Sequence, residues 1–320
     1  MRVLIYGGGA VGLGLGSCLL QAGESVAFVA RPATAQALRE RGLVRTGIFG
    51  DFRAGAGEFA AVESLGELPA GEFDFVLVCV KSFDSAATAA ALAAHPGVRE
   101  SAAPLVLCQN GWGNAQEFAR YFPAERIYNA RVITGFARPS PNEVAVTVHA
   151  DAIHVGSLFR PEAFACVAGL CAAIAAGGIG CQTTREIGAD LWAKMLYNCC
   201  LNPLGAVLGV PYGKLGESPA SRALMEEIAA EVYRVMAAEG WRTHWPDVAG
   251  FLAAFYAQQL PATAAHESSM LQYLHARRRT EIDALNGQVV ALACRHGLAV
   301  PFNRAMCDLI RFQEHQYLGR

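Results

Sequence analysis

The chain opens with Met1-Arg2-Val3-Leu4-Ile5-Tyr6-Gly7-Gly8-Gly9-Ala10-Val11-Gly12, an apolar run that leads straight into Gly7-x-Gly9-x-x-Gly12. Residues 3–6 read as a buried strand and residues near 10–22 as the helix that follows. Each glycine has its own physical task. Gly7 permits a tight turn off the strand, Gly9 has no Cβ and so lets the backbone approach a pyrophosphate, and Gly12 lets the helix pack closely on a sheet. The unpaired N–H groups and positive dipole end of that helix suit a diphosphate. A second strand, residues 25–30, completes the context that a dinucleotide-binding turn requires. Gly7, Gly9, Ala10, Val11 and Gly12 are therefore cofactor-binding candidates.

The end of the second strand discriminates between dinucleotides. An Asp or Glu there would hold a free ribose 2′-hydroxyl, but the position carries Arg31, and the next carboxylate along the chain is Glu40. A guanidinium pairs with a 2′-phosphate in a bidentate fork and stacks on adenine, whereas an acid would repel the phosphate. The expectation is NADPH/NADP rather than NAD, with FAD less favoured still. A solvated loop residue before Pro32 is the plain alternative for Arg31.

Outward from this stretch, strand and helix alternate. Further strands are expected at 75–80 and 104–108, with helices near 32–41 and 84–94; residues 144–148 and 152–155 are expected to complete the sheet. Apolar strands separated by helices imply a parallel sheet covered on both faces. Ligands in such sheets sit beyond the carboxyl ends of the strands, which adds the loops at Lys81-Ser82 and at Gln109-Asn110-Gly111. Residues 163–184 are uncharged but are broken by Gly177-Gly178 into a helix and a short strand, unlike a membrane span. From about Glu186 helical periodicity dominates. The reading is an α/β fold: a Rossmann-type parallel-sheet domain over 1–184 that binds NADP, and an all-helical substrate and catalytic domain over 185–320.

Composition agrees with an enzyme of that size. The 320 residues are 53% hydrophobic and 17% charged with a net charge of −2, which argues against disorder and leaves no electrostatic footprint for nucleic acid. The densest basic run, Arg277-Arg278-Arg279, is too short for a polybasic tail. Ten scattered cysteines, none in a Cys-x-x-Cys pair, read as small core residues in a reducing, cytoplasmic setting. No metal is expected, because clustered Cys/His spacing is absent. Residues 3–23 could pass for a secretory signal, but their glycines are better explained by the dinucleotide turn. A homodimer is compatible with the chain, although no residue pattern singles out its interface.

The chemistry is expected on Leu191-Trp192-Ala193-Lys194-Met195-Leu196-Tyr197-Asn198-Cys199-Cys200-Leu201-Asn202-Pro203-Leu204. Lys194, Asn198 and Asn202 recur every fourth residue along one helix face. An ammonium and two amides on an otherwise apolar helix need polar partners. Lys194 could donate a proton to a developing alkoxide while the amides orient a substrate; a snorkelling lysine with two structural asparagines is the plain alternative. Pro203 is expected to break the helix and leave polar groups free near Asn202. Further on, Ser269 with Gln272 matches a capping box, and Glu281 could simply pair with Arg277 or Arg278.

Four signatures in order resemble the ketopantoate reductases (2-dehydropantoate 2-reductases): the glycine turn; Gln109-Asn110-Gly111; Lys194, Asn198 and Asn202-Pro203-Leu204; and Ser268-Ser269-Met270 followed by Thr280-Glu281-Ile282-Asp283 and Asn286-Gly287. The likeness continues to His296-Gly297, Val300-Pro301 and Asn303, covering nearly the whole chain. The resemblance implies NADPH-dependent reduction of 2-dehydropantoate, a small 2-keto acid, to (R)-pantoate in pantothenate and coenzyme A synthesis. It implies that Lys194 is the general acid and that Glu281 binds the substrate hydroxyls. Asn198, Asn202 and Ser269 would contact substrate, Asn110 would stand at the cofactor–substrate junction, and Lys81 would lie near the cofactor. Two departures, Tyr273 for a common aspartate and Gly205 for a common Thr or Ser, leave the substrate open. A related reductase of another 2-keto acid and a non-catalytic NADP sensor are the alternatives.

Overall fold

The structure, a computed structural model, describes residues 1–68 and 72–319. In β1 (Arg2–Tyr6), Val3, Leu4 and Ile5 are all fully buried. Because side chains alternate along a strand, Val3 and Ile5 enter one apolar core and Leu4 enters another. A strand buried on both faces belongs inside a covered parallel sheet. The sheet is built from β1, β2 (Ser25–Val29), β5 (Ala60–Val62), β6 (Phe75–Val78), β7 (Leu105–Leu107), β8 (Ile127–Arg131), β11 (Ile153–Gly156) and β12 (Cys181–Thr183). Its order is β12-β11-β8-β7-β6-β1-β2-β5. From β5 to β8 neighbours are parallel; β11 runs antiparallel to β8, and β12 follows β11.

The helices of this part are α1 (Ala10–Gln21), α2 (Pro32–Arg41), α3 (Ser85–Ala94), α4 (Pro96–Arg99), α5 (Asn114–Ala119) and α6 (Ala168–Ala176). Residues of α1 and α6 share a core with Val3 and Ile5, and residues of α3 and α5 share one with Leu4.

One expectation fails here. Residues 144–148 do not complete the parallel sheet. They form β10 (Glu143–His149) in a separate four-stranded sheet with β3 (Leu43–Gly47), β4 (Phe52–Ala54) and β9 (Thr134–Ser140), in the order β4-β3-β10-β9. The physical reason is visible along the strand: Val144 and Val146 are buried while Ala145 and Thr147 are not. That alternation suits a sheet with one wet face, not a doubly covered strand.

The remaining helices are α7 (Ile187–Leu208), α8 (Tyr212–Glu217), α9 (Pro219–Ala238), α10 (Val248–Ala254), α11 (Leu260–Ala262), α12 (Ser269–His275), α13 (Asn286–Arg295) and α14 (Pro301–Leu318). The chain divides into two compact units: Met1–Gln109 with Asn114–Ile187, and Asn110–Gly113 with Gly188–Arg320. Four residues of the loop after β7 are thus counted with the helical unit. Among the described residues no helix is long and apolar enough to cross a membrane.

Candidate functional site

In the first unit the glycine turn joins β1 to α1. Gly7 has φ +117°, and a Cβ there would lie 2.8 Å from the backbone carbon of Cys79 and the nitrogen of Val80. A Cβ on Gly12 would lie 2.1 Å from the carbonyl oxygen of Gly7. Both glycines are therefore required by the fold itself. Gly9 differs: the nearest atom to a Cβ there is 3.9 Å away, so the open side of the turn is at Gly9. Gly9 is the N-cap of α1, with no side-chain cap and no acidic residue in the first turn. The amides of that turn, which includes Ala10 and Val11, are suited to an anion. The donor set fits a dinucleotide diphosphate.

Arg31 follows β2 as the N-cap of α2 and its side chain is 87% exposed. Lys81, beyond β6, caps the short turn Ser82–Asp84 and is half-buried. The sequence reading missed Asp84, whose Oδ2 lies 3.7 Å from the Arg31 guanidinium. It also missed Arg138 of β9, which donates to the Thr34 hydroxyl in the first turn of α2 and to the Pro141 carbonyl at 3.0 Å. Nothing local signalled the Arg31–Asp84 or the Arg138–Thr34 contact, since both cross long stretches of chain.

The second unit gathers the polar residues expected to carry chemistry. Lys194 Nζ, on α7, donates to Asn110 Oδ1 at 2.7 Å. Asn110 Nδ2 in turn donates to Glu281 Oε2 at 3.3 Å. All three residues are half-buried. The amide therefore stands between ammonium and carboxylate, accepting from one and donating to the other. Glu281 is accordingly engaged by Asn110, while Arg279 pairs with Asp283 at 3.2 Å.

Asn198 and Asn202 lie one and two turns beyond Lys194 and are 8% and 6% exposed. The Asn202 amide oxygen accepts from the Tyr212 hydroxyl; burial, then the neighbouring Tyr197, pushes that phenol far above its usual range, so it remains a donor. The expected break at Pro203 does not occur, and α7 runs on to Leu208. Proline has no N–H for the carbonyl four residues back, that of Cys199. Asn286 Nδ2 donates to that carbonyl instead, at 3.2 Å. The Asn202 carbonyl accepts from the Ser268 hydroxyl at 3.1 Å. Donors from distant segments thus support the helix through its proline.

The capping expectation shifts by one residue. Ser268, not Ser269, is the N-cap of α12, accepting from Leu271 N at 2.9 Å. The Ser269 hydroxyl is not used by the cap. Gly205 turns inward: a Cβ there would be 3.3 Å from the Val210 carbonyl and 3.8 Å from the Leu215 and Tyr212 side chains. Its departure from the common Thr or Ser concerns packing. Tyr273, half-buried, lies one turn beyond Ser269 on α12.

Comparison with known proteins adds an independent line. Residues 3–159 match the family model of ketopantoate reductase PanE/ApbA, and residues 186–314 match that of its C-terminal part. The 2-dehydropantoate 2-reductase of Halobacterium salinarum is 31% identical over 98% of this chain and 99% of its own. The chain belongs to the ketopantoate reductase family. A crystal structure of a PanE/ApbA family ketopantoate reductase from Ralstonia eutropha JMP134 superposes with a TM-score of 0.83 at 30% identity, covering 99% of both chains. D-mandelate dehydrogenase, solved with NADH and anilino(oxo)acetate, has the same fold, with a TM-score of 0.86 at 21% identity over 99% of both chains. Within the ketopantoate reductase matches, the first spans the glycine turn, Arg31, Lys81 and Asn110, and the second spans Lys194, Asn198, Asn202, Ser269 and Glu281.

Proposed function

We propose that the protein is an NADPH-dependent 2-keto acid reductase whose substrate is 2-dehydropantoate, reduced to (R)-pantoate in pantothenate and coenzyme A synthesis. The observation that carries this reading is the Lys194–Asn110–Glu281 constellation, with hydrogen bonds of 2.7 and 3.3 Å, in a chain of the ketopantoate reductase family. A nicotinamide cofactor, when bound at the glycine turn, would supply the hydride for the C2 carbonyl carbon. Gly9 leaves room for its diphosphate, the first-turn amides of α1 bind it, and Lys81 adds a nearby positive charge.

Lys194 acts at the keto oxygen. As negative charge grows there, its ammonium gives up a proton; a positioned acid of this kind contributes about 10²–10⁴-fold in rate. Asn110 orients that ammonium through its amide oxygen. Glu281 accepts hydrogen bonds from substrate hydroxyls, while Asn198, Asn202 and Ser269 contact the rest of the substrate. Arg31 pairs with the 2′-phosphate of NADPH. The Asp84 carboxylate beside it would instead favour a 2′-hydroxyl, so the NADPH/NADH preference is a direct test of that pairing. Ten free thiols fit a reducing, cytoplasmic setting.

A related reductase of another 2-keto acid is the second reading, favoured by Tyr273, which sets a phenol one turn from Ser269. The deciding experiment is oxidation of NADPH by the purified protein against a panel of 2-keto acids. A kcat/KM that is highest for 2-dehydropantoate is the expected result. Turnover confined to another keto acid establishes the second reading. Tight NADPH binding with no turnover of any member makes the protein a non-catalytic sensor and ends the proposal.

A further inference from the structure

The residue between Lys194 and Glu281 comes from a segment with little conformational preference of its own. Asn110 is followed by Gly111-Trp112-Gly113, and the two glycines have φ +86° and +94°. Glycine gives such a loop many accessible conformations, so what fixes Asn110 must come from outside the loop. Trp112 is only 5% exposed. Its ring lies 4.7 Å from that of Trp192 and 5.3 Å, edge-on, from that of Trp241. Its backbone N–H donates to the Ala284 carbonyl at 3.1 Å. At Gly111 the approach is so close that a Cβ would lie 2.3 Å from the same carbonyl oxygen. Trp241 is itself seated against α7, where a Cβ on Gly188 would fall 2.3 Å from its ring.

Trp192 is two residues before Lys194, and Ala284 is three residues after Glu281. One residue therefore touches both elements whose side chains Asn110 joins, with its indole packed against Trp192 on α7 and its backbone N–H bonded to Ala284. We infer that Trp112 is a positioning residue for keto-acid reduction: it holds Asn110 in register between Lys194 and Glu281, and so acts on the reaction only through that amide. The inference rests on the reductase reading above. A misplacement of about 1 Å in a catalytic constellation is enough to cost on the order of a hundredfold in rate, so a loosened anchor has a measurable consequence.

The test is a double-mutant cycle of Trp112→Leu and Asn110→Ala, read as kcat for keto-acid-dependent NADPH oxidation. In the otherwise unchanged protein, Trp112→Leu is expected to lower kcat by about tenfold or more, with the KM for NADPH within about twofold of its starting value. In the Asn110→Ala background the same change is expected to alter kcat by less than about twofold, because the amide it positions is gone. Trp112→Phe, which keeps an aromatic ring against Trp192, is expected to retain most of the rate, and it carries the same cycle if the leucine variant does not fold. Equal losses in both backgrounds would show a merely structural role and overturn the assignment. Absence of turnover by the unmodified protein with every 2-keto acid is a separate result, which removes the reductase reading and this inference together.

Discussion

In the first unit the candidate site is a piece of backbone; in the second it is three side chains drawn from separate stretches of chain. At the glycine turn the key property is what is missing. No Cβ fits at Gly7 or Gly12, and the N–H groups that face an anion are common to any helix start. Around Lys194, in contrast, the identity and reach of each side chain matter, because an ammonium, an amide and a carboxylate must meet within hydrogen-bonding distance. The comparison teaches that binding a generic diphosphate can be encoded in local sterics, whereas proton transfer to a particular oxygen requires long-range assembly.

The contrast is sharpest in rate. Lys194→Ala is expected to lower kcat by about 10²–10⁴-fold with NADPH binding retained; near-normal turnover, measured at saturating cofactor, would remove the general-acid role. On the backbone side, Gly12→Ala forces a Cβ against the Gly7 carbonyl and should destabilise the protein by about 3 kcal/mol. Gly9→Ala should cost less than about 1 kcal/mol in stability yet weaken NADPH binding. Thermal melts beside cofactor titrations separate the two, and equal behaviour of the two variants would break the distinction between folding and binding glycines.

A smaller effect is expected at Asn286, which replaces the proline-deleted donor to the Cys199 carbonyl and also donates to Asn303 Oδ1 at 2.9 Å. Asn286→Ala leaves buried acceptors unpaired and should lower stability by about 2 kcal/mol. Denaturant unfolding checks this, and an unchanged midpoint would mean that α7 tolerates Pro203 without help. Next in size, Arg31→Ala should raise the KM for NADPH about tenfold, the loss of one charge-assisted hydrogen bond, with little change for NADH. Parallel effects on both cofactors would end the 2′-phosphate role.

The smallest expected effect concerns Arg277, which has φ +52°. It follows the C-cap of α12, and the bonds from Arg277 N to Leu274 O and from Arg278 N to Tyr273 O close a Schellman motif. A residue with a Cβ is strained in that place, so Arg277→Gly should raise stability by about 1 kcal/mol. A lower melting temperature would show that the arginine side chain makes a compensating contribution.

Much of the fold could be read in advance, for reasons that differ by element. β1, α1, β2 and α2 follow from apolar runs, glycines and Pro32, all of which act over a few residues. The strand at 144–148 was assigned to the wrong sheet because pairing depends on which distant strand offers an edge, although its alternating valines already carried the half-buried signature. The four-residue spacing of Lys194, Asn198 and Asn202 showed a polar helix face. It could not show that Asn110, far upstream, would meet Lys194, and no pattern pointed to Asp84 beside Arg31.

The sequence by itself determined a strand–turn–helix able to hold a diphosphate and a helix with one polar stripe, because sterics and helical periodicity are local. Tertiary structure alone decided that α7 passes through Pro203, that Ser268 rather than Ser269 caps α12, and that an asparagine stands between Lys194 and Glu281. The first and the last depend on a donor and an acceptor from remote segments meeting within about 3 Å; the cap bond from Leu271 N is local, but the same Ser268 hydroxyl donates to the distant Asn202 carbonyl at 3.1 Å. Such a meeting is set by packing of the whole unit, not by neighbours along the chain.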